Sequence, residues 1–185
     1  IWKYLRRFLT FRTSLESVKI RLKKYQEYRK FMKLHNIKFY QEKITHPIKN
    51  KIDADIKKVF SRIKNNSEVI LKSDIEGNEY LVVDQILEYS NRIQMLIIEF
   101  HWIDKNENKF IESVKKLKSK FEIIHIHGNN HYPTLKNGLP IILEMTLLNK
   151  KLIANKTDYV DNFPIKDLDF PNNPFLKDII FSFRD

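Results

Sequence analysis

Cysteine is absent from this chain of 185 residues, and glycine occurs only three times, at Gly77, Gly128 and Gly138. A chain without cysteine has no disulfide and no thiolate metal site, which fits a reducing compartment and predicts a cytoplasmic location. Three scattered glycines cannot build the glycine-rich loop that cradles a phosphate or a dinucleotide. No apolar run is long enough to span a membrane. The remaining composition, 42% hydrophobic and 31% charged, is that of an ordinary globular domain.

Positive charge is concentrated at the start of the chain. The formal net charge is +11, and residues 1–36 carry 11 Lys and Arg against 2 Glu. Helical spacing of apolar residues predicts helices over residues 1–34, with a break at 10–14 and Ser14 as a candidate N-cap. Basic helices can bind nucleic acid or an anionic membrane, although a solvated helix face is the simpler interpretation.

The rest of the chain alternates between strand and helix patterns. The patterns predict a basic helical segment at 1–35 and a main domain at 36–185. Within the main domain they predict strands at 36–44, 68–74, 93–102, 121–128 and 141–149, and helices at 55–64, 78–90 and 108–120. Such alternation predicts βαβ units and a mostly parallel sheet. The loop before the last strand is short enough to allow an antiparallel final strand. The tail after residue 151 is rich in Pro, Asp and Asn and is predicted to be irregular chain packed over the sheet.

Polar side chains follow three of these strands where each strand ends. Carboxyl ends of parallel strands meet at one edge of a sheet, and ligands bind beyond that edge. We therefore expect one cleft to be lined by Asp74, Glu99, His101 and His127, with Glu76, Asn129 and Asn130 in the adjoining turns.

Each of these side chains also has a purely structural interpretation. Asp74 could cap the following helix. Glu99 and His101 face the same side of their strand and could form a buried structural pair. His125 is deeper and more typical of a core histidine, and Glu144 needs a partner if it is buried. Convergence from three places in the sequence, rather than any single residue, indicates a site.

The stretch LKSDIEGNEYLVVDQI, residues 71–86, resembles the K-x-D-[IV]-E-G-x-E signature of the FkbM family of S-adenosylmethionine-dependent methyltransferases. MLIIEFHWID resembles that family's next strand. IIHIHGNNHYP, GLPIILEMTLLNK and FPIKDLDFPNNP resemble a bacterial subgroup associated with surface-polysaccharide or glycan genes. The resemblance covers residues 36–185.

The resemblance implies a Rossmann-like methyltransferase sheet, ordered 3-2-1-4-5-7-6, with an antiparallel last strand. Residues 37–44 would be strand three, and the four later strands would be strands four to seven. The first two strands and the glycine-rich cofactor loop have no counterpart in this chain. The chain is then either part of a longer protein, which we favour, or a homologue that no longer binds the cofactor. We expect the 185-residue chain to bind S-adenosylmethionine weakly or not at all, and an upstream-extended form to bind it.

The resemblance also implies roles for the candidate residues. Asp74, Glu76 and Gly77 would contact the cofactor, Glu79 matches the last Glu of the signature, and Asn129 and Asn130 would contact the acceptor. The catalytic set would be Asp74, Glu99, His101 and His127. The implied reaction is methyl transfer to a sugar or glycan hydroxyl, which must lose a proton. His101 or His127 could accept that proton, since imidazole titrates near neutrality. Alternatively, Asp74, Glu99 and His101 could hold a divalent ion such as magnesium.

Two other classes of function are open. The basic helices of residues 1–36 could make the chain a non-catalytic module that binds nucleic acid or an anionic membrane. A metal-dependent hydrolase could use the same Asp, Glu and His residues, but no tight ligand motif supports it, and it ranks last.

The absence of strands one and two has a consequence for the sheet. Residues 69–74 should form an apolar edge with unpaired backbone groups, which invites association. We expect residues 37–44 to move over and pair with this edge, ahead of cover by the basic helices or by another chain.

Overall fold

A computed structural model describes residues 15–34, 36–154 and 162–182. The chain divides into two compact units, Ile1–Gln41 and Glu42–Asp185. Within the described ranges, no helix is both long enough and apolar enough to cross a membrane.

The first unit contains helix α1, Leu15–Phe31. The predicted helix is confirmed over these residues, while the predicted break at 10–14 and the Ser14 cap lie outside the described residues. The sequence of α1 holds six Lys and Arg against two Glu, and most of its side chains are exposed. A helix that buries so little apolar surface gains little stability from packing.

The second unit contains the sheets and the remaining helices. Its elements are β1 Lys43–Ile44, β2 Asp53–Ala54, α2 Ile56–Phe60, β3 Val69–Ser73, α3 Glu79–Glu88, β4 Ile93–Phe100, α4 Ile103–Leu117, β5 Phe121–Gly128, β6 Leu143–Asn149, β7 Asn162–Phe163 and β8 Phe181–Ser182. The predicted alternation of strands and helices from β3 to β6 is confirmed. Helix α4 begins earlier than predicted, because residues ahead of a kink at Asn106 are also helical.

Four strands form the main sheet in the order β3-β4-β6-β5. β3 and β4 are parallel, whereas β6 is antiparallel to both of its neighbours. Strands β3, β4 and β5 therefore point one way and β6 points the other way, as predicted for the final strand. The domain is α/β with a mixed sheet.

One face of this sheet is the apolar core. Leu96, Ile98 and Phe100 alternate along β4 and are completely buried. The Phe100 ring meets Phe110 of α4 edge-on at 5.2 Å between centroids, and Tyr80 of α3 lies 5.4 Å away on the same measure. Each fully buried side chain of this kind contributes about 1.5 to 3 kcal/mol to folding. This core holds the ends of β3 and β4 in a fixed relation.

The other face of the sheet is polar toward its carboxyl edge. Glu99 of β4 lies opposite Glu144 of β6, and Glu144 lies opposite His127 of β5. The C-terminal strap, defined as residues 162–182, lies over the β5 side of this face. It is fastened there by a contact of 3.2 Å between His127 Nε2 and Asp178 Oδ2 and by a hydrogen bond from Asn172 to Glu144. The predicted irregular tail over the sheet is thus confirmed in its described part.

The predicted strand at 37–44 is wrong except for its last two residues. Lys43–Ile44 forms a short parallel pair with Asp53–Ala54 and does not join the main sheet. The backbone N–H of Lys43 donates to Ile52, and the Asp53 carboxylate accepts from two backbone N–H groups in the intervening turn. These hydrogen bonds within the loop satisfy its backbone groups locally, so pairing with the main sheet is not required to satisfy them.

Strand β3 is consequently an edge strand, as the sequence predicts. Among the described residues it pairs only with β4, so the expected pairing of 37–44 with it is wrong. Ile70, in this strand, is 68% exposed.

Candidate functional site at the carboxyl edge of the sheet

Two neighbouring parallel strands bring Asp74 and His101 together. β3 ends at Ser73 and β4 at Phe100, and Ser73 lies opposite Ile98 in the ladder. The residues after each strand therefore emerge at the same edge. His101 Nε2 is 3.9 Å from Asp74 Oδ1. The sequence-based expectation that these two strand ends meet agrees with this placement.

Three carboxylates surround the outer nitrogen of the His101 ring. Besides Asp74, Glu76 Oε2 lies 3.6 Å and Glu99 Oε2 3.8 Å from His101 Nε2. The imidazole is buried, with 4% of the residue exposed, whereas the Glu76 side chain is 81% exposed. The cluster thus reaches from the protein interior to solvent.

Glu79 holds the other side of the ring, and sequence reasoning gave it no role beyond matching the signature. Its carboxylate is completely buried and accepts hydrogen bonds from the backbone N–H groups of Ile75 and Gly77. Its Oε1 atom is 3.1 Å from His101 Nδ1. A sequence signal for this role exists. A Glu in the first turn of a helix can accept hydrogen bonds from the backbone amides just before that helix, and Glu79 has that position.

The turn between Asp74 and Glu79 has an uncommon backbone. Glu76 adopts a left-handed conformation with φ 57°, and Gly77 follows with φ 101°. A Cβ at Gly77 would stand 3.2 Å from Trp102 Cδ1, so the turn packs closely against the residue after His101. A non-glycine residue in this region costs about 1 kcal/mol or more, which the contacts of the Glu76 side chain and of the turn must offset.

Asn129 and Asn130 have different environments although they are neighbours in sequence. Asn129 Nδ2 donates to Glu99 Oε1 at 2.9 Å, so Asn129 belongs to the cluster. The Asn130 amide is buried and bonds backbone groups of the strap, accepting from Asn173 N at 2.7 Å and donating to the Asn173 carbonyl at 3.0 Å. The structure therefore places Asn130 in the attachment of the strap and not beside His101.

His127 lies on the same face as Glu99 but is two strands away. Its Nε2 is 3.2 Å from Asp178 of the strap. Glu144 stands between it and Glu99 in the cross-strand row, a separation of roughly 10 Å at normal strand spacing. His125 is likewise paired with the strap, 3.0 Å from Asp169. The structure brings Asp74, Glu99 and His101 together and leaves His127 with the strap.

The electrostatics of the cluster affect both of its most buried members. Burial lowers the pKa of His101, but the hydrogen bond to Glu79 and the surrounding carboxylates outweigh burial and raise this pKa from 6.5 to about 9. Burial raises the pKa of Glu99, against the opposing hydrogen bond from Asn129. With this pKa and no other ligand, His101 carries a proton at neutral pH and cannot itself accept one from a substrate.

Chemically, the arrangement offers proton acceptors and metal ligands. Asp74, Glu76 and His101 each present one ligand atom, and these atoms lie within 4.8 Å of one another. Burial raises the pKa of Glu99, which makes this carboxylate a stronger proton acceptor than an ordinary one.

Comparisons of this chain with protein-family models, with curated proteins and with solved structures found no match.

Proposed function

We propose that this chain is an S-adenosylmethionine-dependent methyltransferase of the FkbM type, which transfers a methyl group to a hydroxyl of a sugar or glycan. The observation that carries the proposal is the strand order. The last four strands of that family run 4-5-7-6 with strand seven antiparallel, and the sheet here runs β3-β4-β6-β5 with β6 antiparallel. The order supports the proposal because a mixed four-stranded sheet has many other possible orders.

The geometry of the signature residues gives further support. Asp74, Glu76, Gly77 and Glu79, which match the signature, build one turn around His101 of the next strand. A signature whose members all meet at one strand edge is typical of a site rather than of a core.

The donor set at this edge is compatible with part of the cofactor. S-adenosylmethionine carries a positive sulfonium and ribose hydroxyl groups, and the accessible carboxylates of Asp74 and Glu76 suit both. When bound, the cofactor supplies an electrophilic methyl group. Gly77 has no side chain, so the cofactor could approach the backbone of the turn at that position.

The remaining residues would prepare the acceptor. A hydroxyl placed over the cluster must lose its proton, and Glu99, with its raised pKa, would accept it. Asn129 holds the other oxygen of Glu99 and so fixes the direction of the accepting oxygen. His127 and Asn130, bound to the strap, would shape the acceptor side indirectly.

Calorimetric titration with S-adenosylmethionine tests the cofactor part of this proposal. Two proteins should be titrated: the 185-residue chain, and the product of the complete open reading frame that encodes it. Asp74→Asn should weaken binding by the complete product about 10-fold or more, the usual effect of losing a hydrogen bond to a charged group. Asp84→Asn is the matched control, since Asp84 pairs with Lys116 on the surface. Absence of binding by the complete product would contradict the proposal.

A second candidate function, binding of nucleic acid or an anionic membrane by α1, is favoured by the exposed character of that helix. Its six basic residues are accompanied by three accessible aromatic side chains, Tyr25, Tyr28 and Phe31. Affinity for DNA, RNA or anionic vesicles should then fall steeply with salt. Affinity that does not change with salt would exclude it.

A further inference from the structure

The hydrogen bonds of the His101 ring define which nitrogen carries a proton. His101 Nδ1 lies 3.1 Å from the Glu79 carboxylate and 3.2 Å from the backbone carbonyl oxygen of Glu99. Both neighbours act as acceptors here, because a backbone carbonyl has no hydrogen to donate and both oxygens of Glu79 already accept backbone N–H groups. Nδ1 therefore carries a hydrogen in both forms of the ring. When the second proton is lost or displaced by a metal ion, the free lone pair is on Nε2.

The Nε2 atom points into the carboxylate cluster without a hydrogen bond to any described residue. The nearest carboxylate oxygen, that of Glu76, is 3.6 Å away, and that of Asp74 is 3.9 Å away. One ring nitrogen is held by hydrogen bonds, and the other faces oxygens that are too distant to bond it directly. This arrangement leaves room for an ion between the nitrogen and those oxygens. Histidine ligands of metal ions are typically held in this way by a carboxylate.

The separations suit a small cation. Two ligand atoms that each lie about 2.1 Å from one ion are about 3.0 Å apart at an angle of 90° at the ion, and they cannot be more than about 4.2 Å apart, the separation at 180°. The distances from Nε2 to both carboxylates fall within that range. A pair of opposite charges in direct contact would instead bring nitrogen and oxygen to about 2.8 Å.

The charge of the cluster also favours a bound cation. Asp74, Glu76, Glu79 and Glu99 all contact the His101 ring. Among the described residues, Lys72 also pairs with this cluster: its Nζ lies 3.7 Å from Asp74 on a side chain that is 63% exposed. Four carboxylates around one imidazole and one solvated ammonium leave negative charge that a divalent ion would neutralise.

We propose that Asp74, Glu76 and His101 bind one divalent first-row metal ion, with Glu79 as the residue that positions His101. The imidazole ligand favours such an ion over magnesium, whose preferred ligands are oxygens. Three protein ligands leave coordination positions open toward solvent, where a hydroxyl or water could bind and be acidified. Glu99 lies next to this set, with its Oε2 3.8 Å from His101 Nε2, and is not one of the proposed ligands. The proposal rests on these contacts and not on methyl transfer. Because it uses the carboxylates of Asp74 and Glu76, these two side chains would bind either the ion or S-adenosylmethionine, not both.

Manganese is the probe that tests this site, since bound and free Mn²⁺ are distinguished by electron paramagnetic resonance. The full chain, first treated with a chelator, is titrated with MnCl₂ without cofactor or acceptor. We expect one saturable site per chain and at least about a 10-fold loss of affinity in Asp74→Asn and in Glu76→Gln. Asp84→Asn, on the exposed face of α3, should bind as the wild type does.

A spectroscopic measurement identifies the histidine without relying on a variant that could fail to fold. Pulsed resonance of the bound Mn²⁺ should show coupling to a ligand nitrogen, and labelling the histidines with ¹⁵N should change that coupling. His101→Gln, if it folds, should abolish the coupling, whereas His131→Gln in the exposed loop should not. The proposal is overturned by the absence of saturable binding, by binding that Asp74→Asn and Glu76→Gln leave unchanged, or by bound Mn²⁺ without a nitrogen ligand.

Discussion

Glu79 Oε1 lies 3.1 Å from His101 Nδ1, and this contact joins the first turn of α3 to the end of β4. Through it the completely buried carboxylate connects the backbone of the signature turn to the imidazole at the centre of the cluster. The signature is therefore a structural unit as well as a set of site residues.

Truncation of Glu79 should destabilise the fold. Glu79→Ala would leave the partly buried N–H groups of Ile75 and Gly77 without their acceptor, at up to about 1 to 3 kcal/mol for each unsatisfied group. Urea denaturation should show this loss. Glu88→Ala, an exposed position at the other end of the same helix, should change the unfolding free energy by less than about 0.5 kcal/mol. Equal effects of the two substitutions would show that the buried contacts of Glu79 contribute little.

A more conservative change separates positioning from stability. Glu79→Gln keeps the shape of the side chain but offers His101 a neutral acceptor. We expect manganese affinity to fall about 10- to 100-fold, the usual effect of changing a group that orients a metal ligand. Far-ultraviolet circular dichroism should confirm that the variant remains folded. Unchanged affinity in a folded Glu79→Gln protein would remove Glu79 from the account of the site.

The stability of the metal-free protein should depend on pH through His101. Its folded pKa of about 9 lies above the ordinary 6.5, so the protonated ring stabilises the fold. That contribution is fully present below about pH 6.5 and is lost as pH rises through about 9. Urea denaturation in the presence of a chelator should show this decline in the wild type, a smaller decline in His101→Gln, and the same decline as the wild type in His131→Gln. An unfolding free energy that is constant across this window would contradict the assignment.

The strap should depend on Asn130 more than on Asn172. Asn130 is buried and bonds the strap backbone through both its amide oxygen and its amide nitrogen, whereas Asn172 is exposed and makes one bond to Glu144. Asn130→Ala should therefore increase hydrogen exchange in residues 172–178 while leaving β4 protected. Asn172→Ala should have a much smaller effect. If exchange in the strap is the same in both variants, Asn130 does not anchor it.

The edge strand β3 gives a prediction about association. Ile70 is 68% exposed on a strand that has one free side among the described residues. Ile70→Lys should reduce self-association, because charge on an edge strand opposes pairing with another strand. Sedimentation velocity should detect the change, with Ile111→Lys on helix α4 as the control. A wild-type chain that stays monomeric at high concentration would show that this edge does not drive association.

Local patterns in the sequence were sufficient for the elements that build the core. The alternating residues of FEIIHIHG predicted β5, and the structure begins that strand at the same residue, Phe121. The same period predicted that Glu99 and His101 share a face, and both contact the same cluster. These predictions needed only the two-residue repeat of a strand.

Predictions that depended on tertiary partners were less successful. The strand expected at 37–44 needed a neighbour that the family order supplies, and without it only Lys43–Ile44 pairs, with a local loop. His127 was expected beside His101, but Asp178, which is distant in sequence, binds it instead. Glu79 received no role because its contact with His101 crosses between two elements whose packing the sequence does not specify.

Methyl transfer itself is the most direct test of the central claim, that this strand edge is the acceptor site of a methyltransferase. The complete open reading frame product would be incubated, with and without Mn²⁺, with a panel of bacterial saccharides and with S-adenosylmethionine that carries a trideuterated methyl group. Mass spectrometry should find the labelled methyl group on a saccharide hydroxyl. Glu99→Gln should slow the transfer by about 10²- to 10⁴-fold, the usual contribution of a general base, and Glu112→Gln on the exposed face of α4 should not. Transfer at the wild-type rate in Glu99→Gln, or no transfer by a product that binds the cofactor, would contradict the account.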